Sequence, residues 1–286
     1  MFSIKRPQVP FYSKGFLDAL LDLDLQEDKS KLYDNSLDTL LLKTEGDKLL
    51  PVGDRKFVDY RAISDKKKNI VDILFESEYK KLYIDSVRFD EVQALQKNAL
   101  GSNLSVDLIK GDVSVSLQVP KTYDDYITNL GRKRKHELKR KINKFHNQFF
   151  EYEVSNGDDK NHFSYFIELH KQSSKDKKEF MTDDIESFFS RLLKIKGWKI
   201  YLLWIDKKAV ASYFCFENRE SIYLYNSGKN IDFNEYSVGI FLTHYLISKS
   251  IKEKKKVFDF LKGDERYKFD LGGKPEQLYD IKLNKA

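Results

Sequence analysis

The run FDFLKGDERYK, Phe258 to Lys268, gathers three carboxylates, two ammonium groups, a guanidinium and a phenol around one apolar stretch. A strand built on Phe258 to Leu261 delivers Asp264, Glu265, Arg266, Tyr267 and Lys268 together at its C-terminal edge, where open α/β sheets hold their ligands. A carboxylate there can serve as general base, Tyr267 as general acid and Lys268 as a cationic clamp. The same residues also fit a charged turn whose members pair with one another. A second candidate is the loop Gly228 to Gly239, GKNIDFNEYSVG, which leads into a helix near Ser237. Helix N-termini expose unpaired N–H groups and partial positive charge, so this one can hold a pyrophosphate, with Gly239 admitting close approach. Ser237 equally fits a simple cap.

The net charge of +6 is local in origin. From Gly131 to Lys144 the chain reads GRKRKHELKRKINK, whose eight Lys or Arg against Glu137 make +7 and leave −1 for the rest. Such a cluster suits an anionic partner: a phosphate, a sugar nucleotide, a nucleic acid or a membrane surface. It also fits a solvated helix face. Two polar residues interrupt apolar faces. Arg134 falls within the stripe Tyr126, Leu130, Leu138, Ile142, Phe145, and an inward Arg requires an anion unless it snorkels or Gly131 shifts the helical phase. His170 extends the face Phe163, Phe166, Ile167, as a core residue or a site residue.

Several chemistries lack their signatures. No G-x-G-x-x-G, Walker A, G-x-S-x-G or H-E-x-x-H occurs, and the single cysteine, Cys215, lies inside the apolar FCF run, where packing suits it better than thiolate chemistry. One Cys and five scattered His offer no metal set and no internal disulfide. With 41% hydrophobic and 14% aromatic residues the chain can bury a core. No stretch approaches the ~20 apolar residues of a membrane span, and the N-terminus lacks a signal peptide's apolar core, so a cytoplasmic location is expected.

These groups need elements to hold them. The best boundary lies near Pro120. Before it, runs from Leu37, Lys48 and Lys81 predict strands, Asn69 to Phe75 and Asp90 to Leu100 predict helices, and Asn103 to Val119 alternates as a hairpin turning at Gly111-Asp112. After it, Thr182 caps an amphipathic helix bearing Ile185, Phe188, Phe189, Leu192 and Leu193. Lys199 to Ile205, Ala209 to Glu217 and Ser221 to Ser227 then predict an antiparallel meander. A helix over Ser237 to Ile251, with Val238, Phe241, Leu242, Tyr245 and Leu246 on one face, precedes the strand Val257 to Leu261.

Taken together, YDDYITNLGRKRKHELKRKINKF, ASYFCF, YLYNSG, EYSVGIFL and VFDFLKGDERYKFDLG resemble the CelD/BcsL-type acetyltransferase-like family of the GNAT superfamily, related to the FemAB peptidoglycan-bridge aminoacyltransferases. The resemblance runs from Tyr123 to Gly273, and KLLPVG followed by VDYRAI, Lys48 to Ile63, looks like that family's N-terminal portion. It implies a tandem GNAT-like α/β fold of mixed sheets flanked by helices. Residues 1–120 would form a degenerate first half and 121–286 the acyltransferase domain. Ser237, Val238 and Gly239 stand at the family's phosphate loop, with Val238 in place of Pro. The backbone of Asn226, Ser227 and Gly228 would supply the oxyanion donor. Asp264 or Glu265 is implied as base and Tyr267 as acid, with Lys268, Arg134, Arg140 and His170 toward substrate.

The resemblance implies acetyl-CoA or another acyl-CoA as co-substrate, no metal, and direct attack by an acceptor amine such as an amino-sugar in cell-surface polysaccharide or glycolipid synthesis. Two alternatives stay open. One is a FemAB-like enzyme taking its donor from aminoacyl-tRNA, which Arg132 to Lys144 would track; the other is a non-catalytic anion-binding module.

Overall fold

A computed structural model describes residues 9–25, 28–65, 67–99 and 103–285. In chain order the first elements are α1 (Lys14–Asp24), β1 (Leu42–Glu45), β2 (Lys48–Pro51), α2 (Ile70–Glu76), β3 (Lys81–Arg88), α3 (Phe89–Ala99) and β4 (Leu104–Gln118). Next come α4 (Tyr123–Asn129), α5 (Gly131–His146), β5 (Tyr152–Gly157), α6 (Lys160–Ser173), α7 (Lys175–Phe180) and α8 (Asp183–Leu193). The last are β6 (Trp198–Ile205), β7 (Lys208–Glu217), β8 (Ser221–Lys229), α9 (Val238–Lys252), β9 (Val257–Lys262), α10 (Arg266–Asp270) and β10 (Lys274–Lys285). Among the described residues, one compact unit holds Val9–Ser114 with Glu276 onward, and the other holds Val115–Pro275.

The first unit orders its strands β1-β2-β3-β10-β4, so the closing strand of the chain lies between two of its earliest. Its core is aliphatic, with Leu42, Leu49, Ile70, Ile73, Leu82, Ile84 and Ile281 buried together. Asn69 and Asp72 close a reciprocal capping box on α2, which fixes where that helix starts. KLLPVG and VDYRAI are wired together by Arg61. Its buried guanidinium donates to the carbonyls of Val52 (3.0 Å) and Gly53 and to Asp85 (3.1 Å). A buried cation is tolerated only when its donors are satisfied in this way.

Two expectations change here. Leu104–Gln118 is one long strand rather than a hairpin, and β1 begins at Leu42 rather than Leu37. Gly111 is not a turn residue. A Cβ there would lie 2.9 Å from Asp280 Oδ1, so the glycine admits the neighbouring strand's carboxylate. The predicted helix end at Leu100 lies outside the described residues.

The second unit orders its strands β9-β8-β7-β6-β5, with the predicted meander intact. Asp206 and Lys207, at φ 47° and 65°, make the tight turn between β6 and β7. Side chains alternate across β7. Phe214 packs on Phe166 of α6 and Phe189 of α8, while Tyr213 bonds to Gly239 and Thr243 of α9, so these helices cover opposite faces. On the α9 side Phe145 of α5 stacks on Phe241 with centroids 3.7 Å apart, docking the basic helix. All five apolar residues predicted for α8 are buried. On α9, Tyr245 is exposed instead of continuing the buried face. Cys215 is fully buried, and desolvation pushes its thiol pKa up, as core packing requires.

Candidate active site

The site begins where two strands part. β8 and β9 pair in parallel from Ser221↔Val257 to Tyr223↔Asp259, and their register stops there although β8 runs on to Lys229 and β9 to Lys262. Two local irregularities accompany the parting. On β8 the register with β7 skips Tyr225, a bulge between Phe214↔Asn226 and Cys215↔Leu224. On β9 Leu261 adopts φ 62°, with its N–H held by Asp259 Oδ1 at 2.9 Å. Past the bulge Asn226 Oδ1 accepts from Ser227 N–H (2.7 Å), and Ser227 C=O accepts from Lys177 Nζ.

The Phe258–Lys268 element is brought to this place, with its members in unequal roles. Lys268 is 3% exposed. Its ammonium donates to the carbonyls of Lys262 (2.6 Å) and Gly263 (3.2 Å) and pairs with Glu265 (2.9 Å). It therefore holds the bend after β9 and does not face substrate, the role expected from sequence. Gly263 at φ 108° is required, because a Cβ there would fall 2.4 Å from Glu265 Oε2. Arg266 pairs with Asp270 (3.5 Å), so part of the element does behave as a self-paired turn. Asp264 is exposed. Tyr267 is half-buried, and desolvation raises its hydroxyl pKa well above an ordinary phenol, with Tyr213 and the Glu265 charge adding to the shift.

The start of α9 is open. Ser237 sits at φ 55° and its side chain caps nothing, although it occupies the capping position. Val238 packs inward at 1% exposure. A Cβ on Gly239 would meet only Tyr213 Oη, at 3.6 Å, so no packing demand explains this glycine. Gly228 is the contrary case. A Cβ there would lie 2.4 Å from His170 N and 2.6 Å from Leu169 C, so its missing side chain admits the α6 backbone rather than a ligand.

Two further groups surround Ser227. His170 is buried as its face predicts, and its side chain bonds with Asn226. Desolvation first, then the Lys177 charge, pull its pKa down to about 4, so the imidazole is neutral at neutral pH. Lys177, from α7, is the residue sequence reading missed. Its Nζ donates to Ser227 C=O and to Ser227 Oγ at 3.1 Å. Desolvation and the Lys229 charge bring its pKa down to about 8, against the opposing charge of Glu265. Inside KDKKEF it looks like any surface lysine; only the fold turns it inward.

Arg134 does not face inward. Gly131 at φ 73° separates α4 from α5 and resets the helical phase, which leaves Arg134 exposed. Arg140 is also exposed and is engaged with Glu137 on its own helix, Nε to Oε2 at 2.9 Å and Nη2 to Oε1 at 2.8 Å. The basic face reaches the site by another route. A cleft of about 660 Å³ is lined by Lys133, His136, Glu137 and Lys141 of α5 and by Arg266, Tyr267 and Asp270. Among the described residues no His, Cys, Asp or Glu group is placed to hold a metal, and no helix is long and apolar enough to cross a membrane.

A parted pair of parallel strands, a bulged neighbour and an open helix start after the meander together form the candidate site. Residues 132–269, just under half of the chain, match the family model described as the acetyltransferase (GNAT) domain. No curated protein matches the chain in sequence. Among solved structures the chain is similar to FemX (TM-score 0.58, 12% identity, 84% of this chain and 83% of that one). It is also similar to L-PGS from Bacillus licheniformis (0.58, 9%, 96% and 93%). A third is the C-terminal DUF2156 domain of a putative lysylphosphatidylglycerol synthetase from Agrobacterium fabrum (0.58, 9%, 93% and 90%). At such identities the likeness is one of fold, and the expected mixed α/β fold is the one the chain adopts.

Proposed function

We propose that the protein is an N-acyltransferase that moves an acyl group, in the simplest case acetyl, from CoA to an amine, an amino-sugar of cell-surface polysaccharide or glycolipid synthesis being the favoured acceptor. The first unit then acts as a degenerate GNAT-like half. The observation that carries this reading is the gap between β8 and β9 beside the uncapped start of α9, with Gly239 open to a ligand. A thioester donor fits there with its phosphates toward the N–H groups of α9 and its carbonyl toward the backbone of Asn226 to Gly228.

The chain's own residues divide the work. The backbone around Asn226 to Gly228 supplies the donor to the developing oxyanion, with the Ser227 N–H joining only once the Asn226 carboxamide oxygen that accepts it has turned away. Glu265 is the base, because its charge reaches both Lys177 and Tyr267. Tyr267 keeps its proton at neutral pH and gives it to the departing thiolate. No covalent enzyme intermediate is needed.

Calorimetric titration with acetyl-CoA and longer acyl-CoAs, beside Gly239→Asp, tests the reading. The added carboxylate has room, so the fold should survive while affinity falls at least about tenfold through repulsion of the phosphates. Absence of thioester binding to the unaltered protein rejects CoA as donor. One observation favours a second reading: the lysine-lined cleft that shares Tyr267 suits the phosphates of an aminoacyl-tRNA. Binding of aminoacyl-tRNA with a steep salt dependence, in place of CoA, selects it.

A further inference from the structure

We infer that Lys177 is a self-acylation site: its amine is placed to take the acyl group from a thioester lying in the β8–β9 gap. This rests on the acyl-CoA reading above and deepens it by naming a nucleophile within the same site.

Lys177 stands on α7, a short helix started by Ser174, whose hydroxyl accepts from Lys177 N–H (3.2 Å). From there its side chain reaches Ser227 on β8, beside the gap. Nζ gives one hydrogen to Ser227 C=O and one to Ser227 Oγ. A neutral amine has two hydrogens, so these acceptors satisfy both and leave the lone pair free. The groups around it favour that neutral state. Lys229 repels a charge on Nζ, burial desolvates it, and Glu265 opposes both, leaving a pKa of about 8. A substantial neutral fraction therefore exists near neutral pH, whereas an ordinary lysine has almost none.

The step balances without any further reactant. Nζ attacks the thioester carbonyl, the C–N bond forms, the C–S bond breaks, and the nitrogen's surplus proton leaves on the thiol, with Glu265 and Tyr267 as relays. The products are an amide and free CoA. Acylated Lys177 has lost its charge and gained bulk within the gap, so the modification limits the enzyme that made it.

The neighbouring sequence supplies its own control. Lys175 and Lys178 are exposed on the same short helix, and chemical acylation by free thioester attacks exposed lysines first. The unaltered protein is incubated with acetyl-CoA at pH 8, the three lysines are followed by peptide mass spectrometry, and acetyl-CoA binding is measured in parallel by calorimetry. Lys177 should be acetylated at least tenfold faster than Lys175 or Lys178, and Gly239→Asp should remove that preference while leaving the exposed lysines' rates unchanged. If acetyl-CoA binds but Lys177 is acetylated no faster than its neighbours, self-acylation is overturned and the CoA reading stands. If acetyl-CoA does not bind at all, both are overturned.

Discussion

Tyr267 holds its proton across the neutral range because burial disfavours the phenolate. Replacing it with Phe keeps the ring against Phe260 and removes only the hydroxyl. Tyr267→Phe is expected to lower kcat by about 10²- to 10⁴-fold with KM little changed, as loss of a general acid does. Steady-state kinetics with the acceptor once found, or with a surrogate amine, measures it, and an unchanged kcat would reduce Tyr267 to a wall of the cleft. At this scale the sequence was informative wherever several chemical groups share one short run. Asp264, Glu265 and Tyr267 lie in such a run, and the charge of Glu265 is felt at both Lys177 and Tyr267. Lys177 and Lys268 exchanged their apparent characters. The lysine in the motif is occupied by backbone carbonyls, and the lysine in a charged surface run points into the site. Only tertiary context separates these cases, because the direction of a single side chain has no linear signature.

At the scale of elements, Phe145 decides whether α5 stays attached. It is fully buried, stacks on Phe241 and meets Phe150 and Tyr152 edge-on. Phe145→Ala should cost about 3–5 kcal/mol, read as a lowered midpoint in denaturant unfolding with the slope retained. Such a loss leaves every charge of α5 in place, which separates docking from electrostatics. Periodicity identified α8, the meander, α9 and β9 of the second unit, while β5, α7 and α10 went unpredicted. It failed in two places for definable reasons. Alternation over Leu104–Gln118 is compatible with one strand or two, and a glycine needed for a neighbouring carboxylate reads as a turn. On α5 the spacing carried through Gly131 as if the helix were continuous, although that residue's positive φ ends one helix and begins another.

For the whole molecule, acid is the natural stress. His170 is neutral when folded, with a pKa of about 4 against an ordinary 6.5, so the unfolded chain binds its proton first and stability falls as pH drops from 6.5 toward 4. That shift amounts to roughly 3 kcal/mol. Glu217 acts in the same sense at lower pH. Its carboxylate is held by Lys249, Lys255 and Tyr201, which keep its pKa well below the usual range, and that stabilisation is lost as protonation approaches. Urea unfolding at pH 7 and pH 5 should show the protein weaker at pH 5 and the difference reduced in His170→Leu; equal stability at both pH values would contradict the burial argument. The position of β10 has a consequence of another kind, one of timing. During synthesis the sheet of the first unit must wait for Glu276 onward, after all of Val115–Pro275 has been made. Until then β3 and β4 lack their shared partner and present open edges, so the half translated first completes its fold last.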